Sequence, residues 1–214
     1  MQYTAVIVGS TGLVGSKLLQ QLSVHPDFSH VTALSRREMP SMPKVRNQVV
    51  DFANLEECKK HLKADFMFSC LGTTKKEAGT FENQWKIDNT LNYDLAKIAK
   101  DNGVKGYILC SSQGANPNSW IGYAKMKGKL DSDVIALAFE KVKIVRPGII
   151  IGDRPRIRFL ENVIQGLSIR IPLKWVVPAI RAEDIATAMI KLALDEKNTD
   201  IIVANEGLKA LAGV

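Results

Sequence analysis

The stretch Ala5-Val6-Ile7-Val8-Gly9-Ser10-Thr11-Gly12-Leu13-Val14-Gly15 decides the fold. Its first four residues form a short apolar run, the pattern of a parallel strand buried on both faces. Three glycines follow, each separated from the next by two residues, and residues 13–22 then read as an amphipathic helix. Strand, glycine turn and helix N-terminus in that order make a site for a pyrophosphate. The unpaired N–H groups of the first helical turn and the positive end of the helix dipole face the anion. Glycine lets the main chain approach the phosphates and lets the helix pack closely on the strand. The spacing is G-x-x-G-x-x-G rather than the commoner G-x-G-x-x-G, and a tight turn without a ligand shares the local pattern. The position of the triple directly after a clean N-terminal strand favours the phosphate reading.

Outward from this turn, strand-like and helix-like segments alternate. Strands are predicted at 3–8, 31–35, 46–50, 66–70, 106–111, 143–145 and 201–203, and helices at 13–22, 54–62, 90–101, 123–139 and 183–194. That alternation predicts an α/β fold of the Rossmann type, a doubly wound parallel sheet with helices on both faces. Residues 1–214 read as a single domain. Its portion from about residue 149 is irregular, is interrupted by Arg154-Pro155, Ile171-Pro172 and Val177-Pro178, and is expected to cover the substrate side.

Composition narrows the function classes. With 46% hydrophobic and 24% charged residues over 214 positions, a core of normal size is available. No run of about 18 apolar residues marks a membrane span, and the N-terminal strand carries no basic-then-apolar leader. A cytoplasmic protein is the expectation. The three cysteines, Cys58, Cys70 and Cys110, are odd in number and form no C-x-x-C, which suits reduced thiols. His25, His30 and His61 form no ligand-spaced cluster, so no metal site is expected. The net charge of +7 is spread along the chain without a basic block, which ranks nucleic acid well below a phosphate-bearing cofactor.

In this fold the tip of the second strand chooses between the two nicotinamide dinucleotides. Here it reads Leu34-Ser35-Arg36-Arg37, with Glu38 only after both arginines. A carboxylate would accept from a ribose 2′-hydroxyl; a guanidinium fork suits a 2′-phosphate. NADP(H) is therefore expected in preference to NAD(H), the alternative being that both arginines are solvated loop charges. Val50-Asp51-Phe52 follows the third strand, where Asp51 either meets the adenine edge or caps the next helix. Cys70-Leu71-Gly72-Thr73-Thr74 follows the fourth, where Gly72 lets the main chain approach ribose and phosphate.

Tyr123 and Lys127 stand four residues apart on a predicted helix and so share a face. A neighbouring ammonium favours a phenolate, which fits Tyr123 to exchange a proton during hydride transfer at a carbonyl, while Lys127 also holds the nicotinamide ribose. Ser111-Ser112 ends the fifth strand, where a hydroxyl polarises the substrate oxygen. Ser111, nearer the strand, is slightly favoured over Ser112, and both remain candidates.

These pieces together resemble an atypical short-chain dehydrogenase/reductase, closest to the Tat-interacting-protein oxidoreductase branch. The likeness runs through the Gly9–Gly15 turn, Leu34-Ser35-Arg36-Arg37, Val50-Asp51-Phe52, Cys70-Leu71-Gly72-Thr73-Thr74 and Ser111-Ser112-Gln113-Gly114-Ala115. It continues through Tyr123 to Lys127-Gly128 and Arg146-Pro147-Gly148 followed by Asp153-Arg154. The resemblance implies an NADP(H)-binding domain with cofactor contacts at Thr11, Gly12, Leu13, Val14, Arg36, Arg37, Leu71, Gly72, Tyr123 and Lys127, with Thr73 and Phe52 beside them. Arg158 falls where that branch has a further cofactor-contacting arginine, although Pro155 and Arg156 depart from the pattern. The superfamily often has an asparagine in the helix after the fourth strand, a role that Ile87-Asp88-Asn89 leaves open.

The expected activity is NADP(H)-dependent oxidation or reduction of a small alcohol or carbonyl. Two alternatives stand beside it: a redox-sensing NADPH-binding protein with little turnover, and a nucleotide-sugar epimerase. The short chain after residue 149 suits the last least. The helices at 90–101 and 123–139 can form a homodimer bundle, and a monomer is equally compatible.

Overall fold

The computed structural model of this chain describes residues 2–152 and 178–214. A seven-stranded sheet forms its centre. In chain order the strands are β1 (Tyr3–Val8), β2 (Phe28–Ser35), β3 (Val45–Val49), β4 (Phe66–Ser69), β5 (Gly106–Cys110), β6 (Lys141–Arg146) and β9 (Ile202–Ala204), in spatial order β3-β2-β1-β4-β5-β6-β9. Every neighbouring pair is parallel. Strand order reverses between β1 and β4, and the crevice beyond the carboxyl ends of the strands at such a point is where ligands bind. β7 (Ile149–Ile151) and β8 (Ala179–Arg181) form a separate parallel pair.

The period-two alternation of the strands sorts the core into two layers. Ala5, Ile7, Phe66, Phe68, Ile108 and Val145 face one cluster, with Leu18, Leu19 and Leu22 of α1 (Leu13–Val24) and the apolar stripe of α7 (Ala182–Leu194). Val6, Val8, Met67, Tyr107, Leu109 and Ile144 face the other, with Leu95, Ala96 and Ala99 of α5 (Asn92–Asp101) and Leu130 and Val134 of α6 (Gly122–Ala136). Burial on both faces explains why Ala5 to Val8 are apolar without interruption.

Several boundaries differ from expectation for identifiable reasons. β2 begins at Phe28, because β1 pairs back to it through Tyr3 while exposed Ser29 and His30 mask the strand pattern. α6 stops at Ala136, two residues before Ala138 adopts a left-handed conformation (φ 51°). Phe139 then leaves the helix to stack on Tyr107 at 5.1 Å. Between β4 and α5 the chain forms α3 (Lys75–Ala78), α4 (Phe81–Trp85) and a π-helical turn, Lys86–Leu91. None of these is expected from the sequence pattern, nor is the final helix α8 (Asn205–Ala212). The helix expected at 54–62 shortens to α2 (Leu55–Lys59), capped by Asn54, whose side chain accepts from Glu57 N–H.

Candidate functional site

The glycine turn has the geometry of a phosphate cradle. Gly9 takes φ +78°, and a Cβ there would lie 2.4 Å from the Cys70 carbonyl at the end of β4. Gly15 brings α1 against the strand end so closely that a Cβ would meet the Gly9 carbonyl oxygen at 2.2 Å. Gly12 occupies the N-cap of α1 without a side-chain cap, and no acidic residue stands in the first turn to compete with an anion. The opening of α1 therefore offers main-chain donors and the dipole's positive end to a diphosphate, which is the fit a dinucleotide requires.

Around this turn lies a cleft of about 490 Å³, a size suited to a small-molecule site. Gly9, Ser10, Thr11, Gly12, Arg36, Arg37, Phe52, Leu71, Gly72 and Thr73 line it, together with Cys70, Glu77, Ile87 and Leu91. Arg36 and Arg37 are exposed at its rim. Ser35 fixes the tip that carries them, since its hydroxyl bonds the Arg37 carbonyl and Asn47 of β3.

Some expected contacts fall elsewhere. Val14 is buried in the core and is not among the cleft-lining residues, and Gly15 packs beneath the turn. Leu13 packs against Gly152, where a Cβ would meet its side chain at 2.4 Å. Asp51 is exposed, accepts from Ala53 N–H at 2.9 Å, and is neither among the cleft-lining residues nor the cap of α2, which Asn54 supplies. Arg158 lies outside the described residues.

Behind Gly72, where a Cβ would lie 3.6 Å from the Asp88 carboxyl, begins a cluster of largely buried polar groups. Tyr123, Lys127 and Asp131 stand at successive four-residue steps of α6. The Ser112 hydroxyl, which donates to the Gln113 carbonyl at 3.1 Å, also interacts with the Tyr123 phenol and favours its ionised form. Ser111 turns away toward Asp131 and helps to hold that carboxyl down, against burial that pushes it up. Neither Ser111 Oγ nor Asp131 Oδ1 completes a hydrogen bond of good geometry among the described residues. Of the two serines, Ser112 is the one beside the phenol and Ser111 the one beside Asp131. Arg146 of β6 donates to Asp131 Oδ2 through Nε at 2.9 Å and lies within 2.8 Å of it through Nη2.

Lys127 is almost fully buried, and its charge favours ionisation of Asp88, Asp131, Cys70 and Cys110. The lowering of the Tyr123 phenol expected of Lys127 is not among the influences on that group. Burial first, and the Asp88 carboxylate second, push that phenol well above its ordinary value. The π-helical turn carries Asp88 to this place. Wide π turns inside helices are frequent at functional sites. Asp88 Oδ1 accepts from Thr73 N–H at 2.6 Å, and burial pushes its carboxyl up to about 6 despite Lys127, that N–H and Gln84. Asn92 completes the frame. It is fully buried, donates to the Leu71 carbonyl at 3.2 Å and accepts from Ser69. Sequence pattern assigns no role to Asp88 or Asn92; the wide turn breaks the helical spacing that would have placed them.

Comparison with known proteins agrees with this geometry. Residues 4–147 match the family described as semialdehyde dehydrogenase, NAD binding domain. "Protein FMP52, mitochondrial" of Debaryomyces hansenii is 38% identical over 89% of this chain and 87% of its own length. "Protein fmp52-1, mitochondrial" of Aspergillus oryzae is 34% identical over 97% and 93%. Among solved structures, the oxidoreductase ylbE from Lactococcus lactis superposes with a TM-score of 0.71 at 21% identity, over 99% of this chain and 97% of that one. MoeE5 in complex with UDP-glucose and NAD superposes at 0.73 and 16% identity, over 94% and 75%. These likenesses show the Rossmann-type fold. The relatives carry the FMP52 name rather than that of the Tat-interacting branch. Their names also overturn the cytoplasmic expectation and point to the mitochondrion. The chain thus belongs to the family of the semialdehyde dehydrogenase NAD-binding domain, together with the FMP52 proteins.

Proposed function

We propose that this protein is an NADP(H)-dependent oxidoreductase that interconverts a small carbonyl compound and its alcohol. The observation that carries the reading is the contact of Ser112 with the Tyr123 phenol, one helical turn from Lys127 and beside Asp88, whose π-helical turn lines the glycine-rich cleft through Ile87 and Leu91. The α1 amides would hold the diphosphate, Phe52 and Leu71 the adenosine, and Arg36 and Arg37 a 2′-phosphate. Bound there, the nicotinamide supplies the hydride chemistry. Ser112 orients the substrate oxygen and Tyr123 gives or takes its proton. Lys127 lies close enough to Tyr123 along α6 to bind the adjoining ribose. With its pKa raised, Tyr123 is protonated at neutral pH, which suits it to donate a proton in the direction of carbonyl reduction.

The test is consumption of NADPH, followed by absorbance, against a panel of aldehydes, ketones and quinones. The expected result is turnover on part of the panel that falls by about 10²- to 10⁴-fold in Tyr123→Phe with NADPH affinity retained. Turnover equal in the variant and the parent overturns the assignment. Tight NADPH binding with no turnover across the panel would instead select a protein that binds NADPH and senses its level.

A further inference from the structure

Two of the three cysteines meet at the carboxyl ends of β4 and β5, beside the cleft that Cys70 lines. β4 and β5 are paired in parallel with Ser69 opposite Leu109, so the next step in that register brings Cys70 opposite Cys110. Period-two alternation continues the face of Phe66 and Phe68 to Cys70, and that of Ile108 to Cys110. Both thiols therefore project from the same face of the sheet. Neighbouring strands lie about 4.7–4.9 Å apart, within the Cα separation of about 4.4–6.8 Å that a disulfide spans. Both residues are partly exposed, and Cys70 lines the cleft.

We propose that Cys70 and Cys110 form a redox-modification site, a dithiol that a hydroperoxide entering the cleft oxidises reversibly to a disulfide. One sulfur of the pair attacks the peroxide. The O–O bond breaks, a sulfenic acid forms on that cysteine, and water or an alcohol leaves. The other sulfur then displaces the sulfenic hydroxyl, the S–S bond forms and water leaves. Two thiols and one hydroperoxide thus yield one disulfide, one alcohol or water, and one water. The Lys127 ammonium favours the thiolate at both sulfurs against the burial that opposes it. Cys58 is an internal control: it is fully buried, and burial, Glu57 and Asp51 push it up to about 11. This thiol chemistry stands apart from the proposed reaction, since it requires neither dinucleotide nor substrate.

The whole protein is treated with hydrogen peroxide, alkylated, digested without reductant and examined by mass spectrometry. The expected product is a Cys70–Cys110 linked peptide, 2 Da lighter than its reduced components, with Cys58 still alkylated and the link reversed by dithiothreitol. Absence of the linked peptide, or oxidation of Cys58 ahead of the pair, overturns the proposal. In Cys70→Ser and in Cys110→Ser, dimedone is expected to capture a sulfenic acid on the cysteine of the pair that remains, and capture in neither variant overturns the proposed route.

Discussion

The two ends of the cleft are built by opposite means. At the phosphate end the chemistry is main chain: Gly9, Gly12 and the uncapped start of α1 present amides, and no carboxylate stands in the first helical turn. At the phenol end it is side chain: buried Asp88 from the π-helical turn, Lys127 and Asp131 from α6 and Ser112 beyond β5 gather with half-buried Tyr123 of α6 and Arg146 of β6. The first end depends on shape and tolerates no added atom. The second depends on a balance of charges and tolerates conservative exchange with a shift in pH behaviour. Each substitution below separates the two.

The largest effect is expected at the phosphate end. Gly9→Ala places a Cβ 2.4 Å from the Cys70 carbonyl at a positive φ. The left-handed conformation costs about 1–2 kcal/mol and the overlap about 1–3 kcal/mol. Denaturant unfolding should show a loss of that order, and NADPH titration should show binding abolished. Wild-type affinity in this variant would refute the cradle. At the rim, Arg36→Ala with Arg37→Ala should leave stability within about 0.5 kcal/mol and weaken NADPH far more than NADH. Each charge-assisted hydrogen bond to the 2′-phosphate is worth about 1.5–3 kcal/mol. Parallel titrations check this, and equal loss of both cofactors would remove the arginines from the 2′-phosphate.

The two ends also differ in how far the sequence discloses them. The glycine turn and the strand tips at Arg36, Arg37 and Leu71-Gly72-Thr73 are legible because their chemistry is local: a short segment fixes both the conformation and the group presented. The spacing of Tyr123 and Lys127 is legible for the same reason, one helix face. Asp88 and Asn92 are not, because a π-helical turn shifts residues 86–91 off the helical period. Which of Ser111 and Ser112 lies beside Tyr123 depends on the direction of two adjacent side chains at a strand end, which the local sequence does not encode. α8 is hidden by Gly207 near its start, a residue that weakens helical propensity.

That choice of serine gives a smaller test. Ser112→Ala should lower turnover by about 10²-fold, the low end of what one hydrogen-bond donor to the reacting oxygen contributes. Ser111→Ala should leave turnover near wild type and leave stability unchanged or slightly raised, because Ser111 Oγ is a buried hydroxyl without a well-formed bond. The opposite ranking in steady-state kinetics would return the substrate to Ser111.

The smallest and most selective change is Asp88→Asn, which keeps an acceptor for Thr73 N–H and removes the charge. In the folded protein this carboxyl titrates at about 6, above the ordinary 3.8. Its proton is therefore bound more tightly by the native state. The associated stability is fully present below the unfolded value and is lost as pH rises through 6. Wild type should weaken across that window by a few kcal/mol at most, since each tenfold difference in proton affinity is worth about 1.4 kcal/mol. The variant should lack this part of the decline in urea midpoints measured from pH 4 to 8. Because the Asp88 charge raises the Tyr123 phenol, its removal should also move the basic limb of the activity profile to lower pH. A moved limb with unchanged NADPH affinity would place Asp88 wholly at the phenol end. A loss of NADPH affinity alone would instead tie it, through Thr73, to the phosphate end, and would dissolve the division drawn between the two.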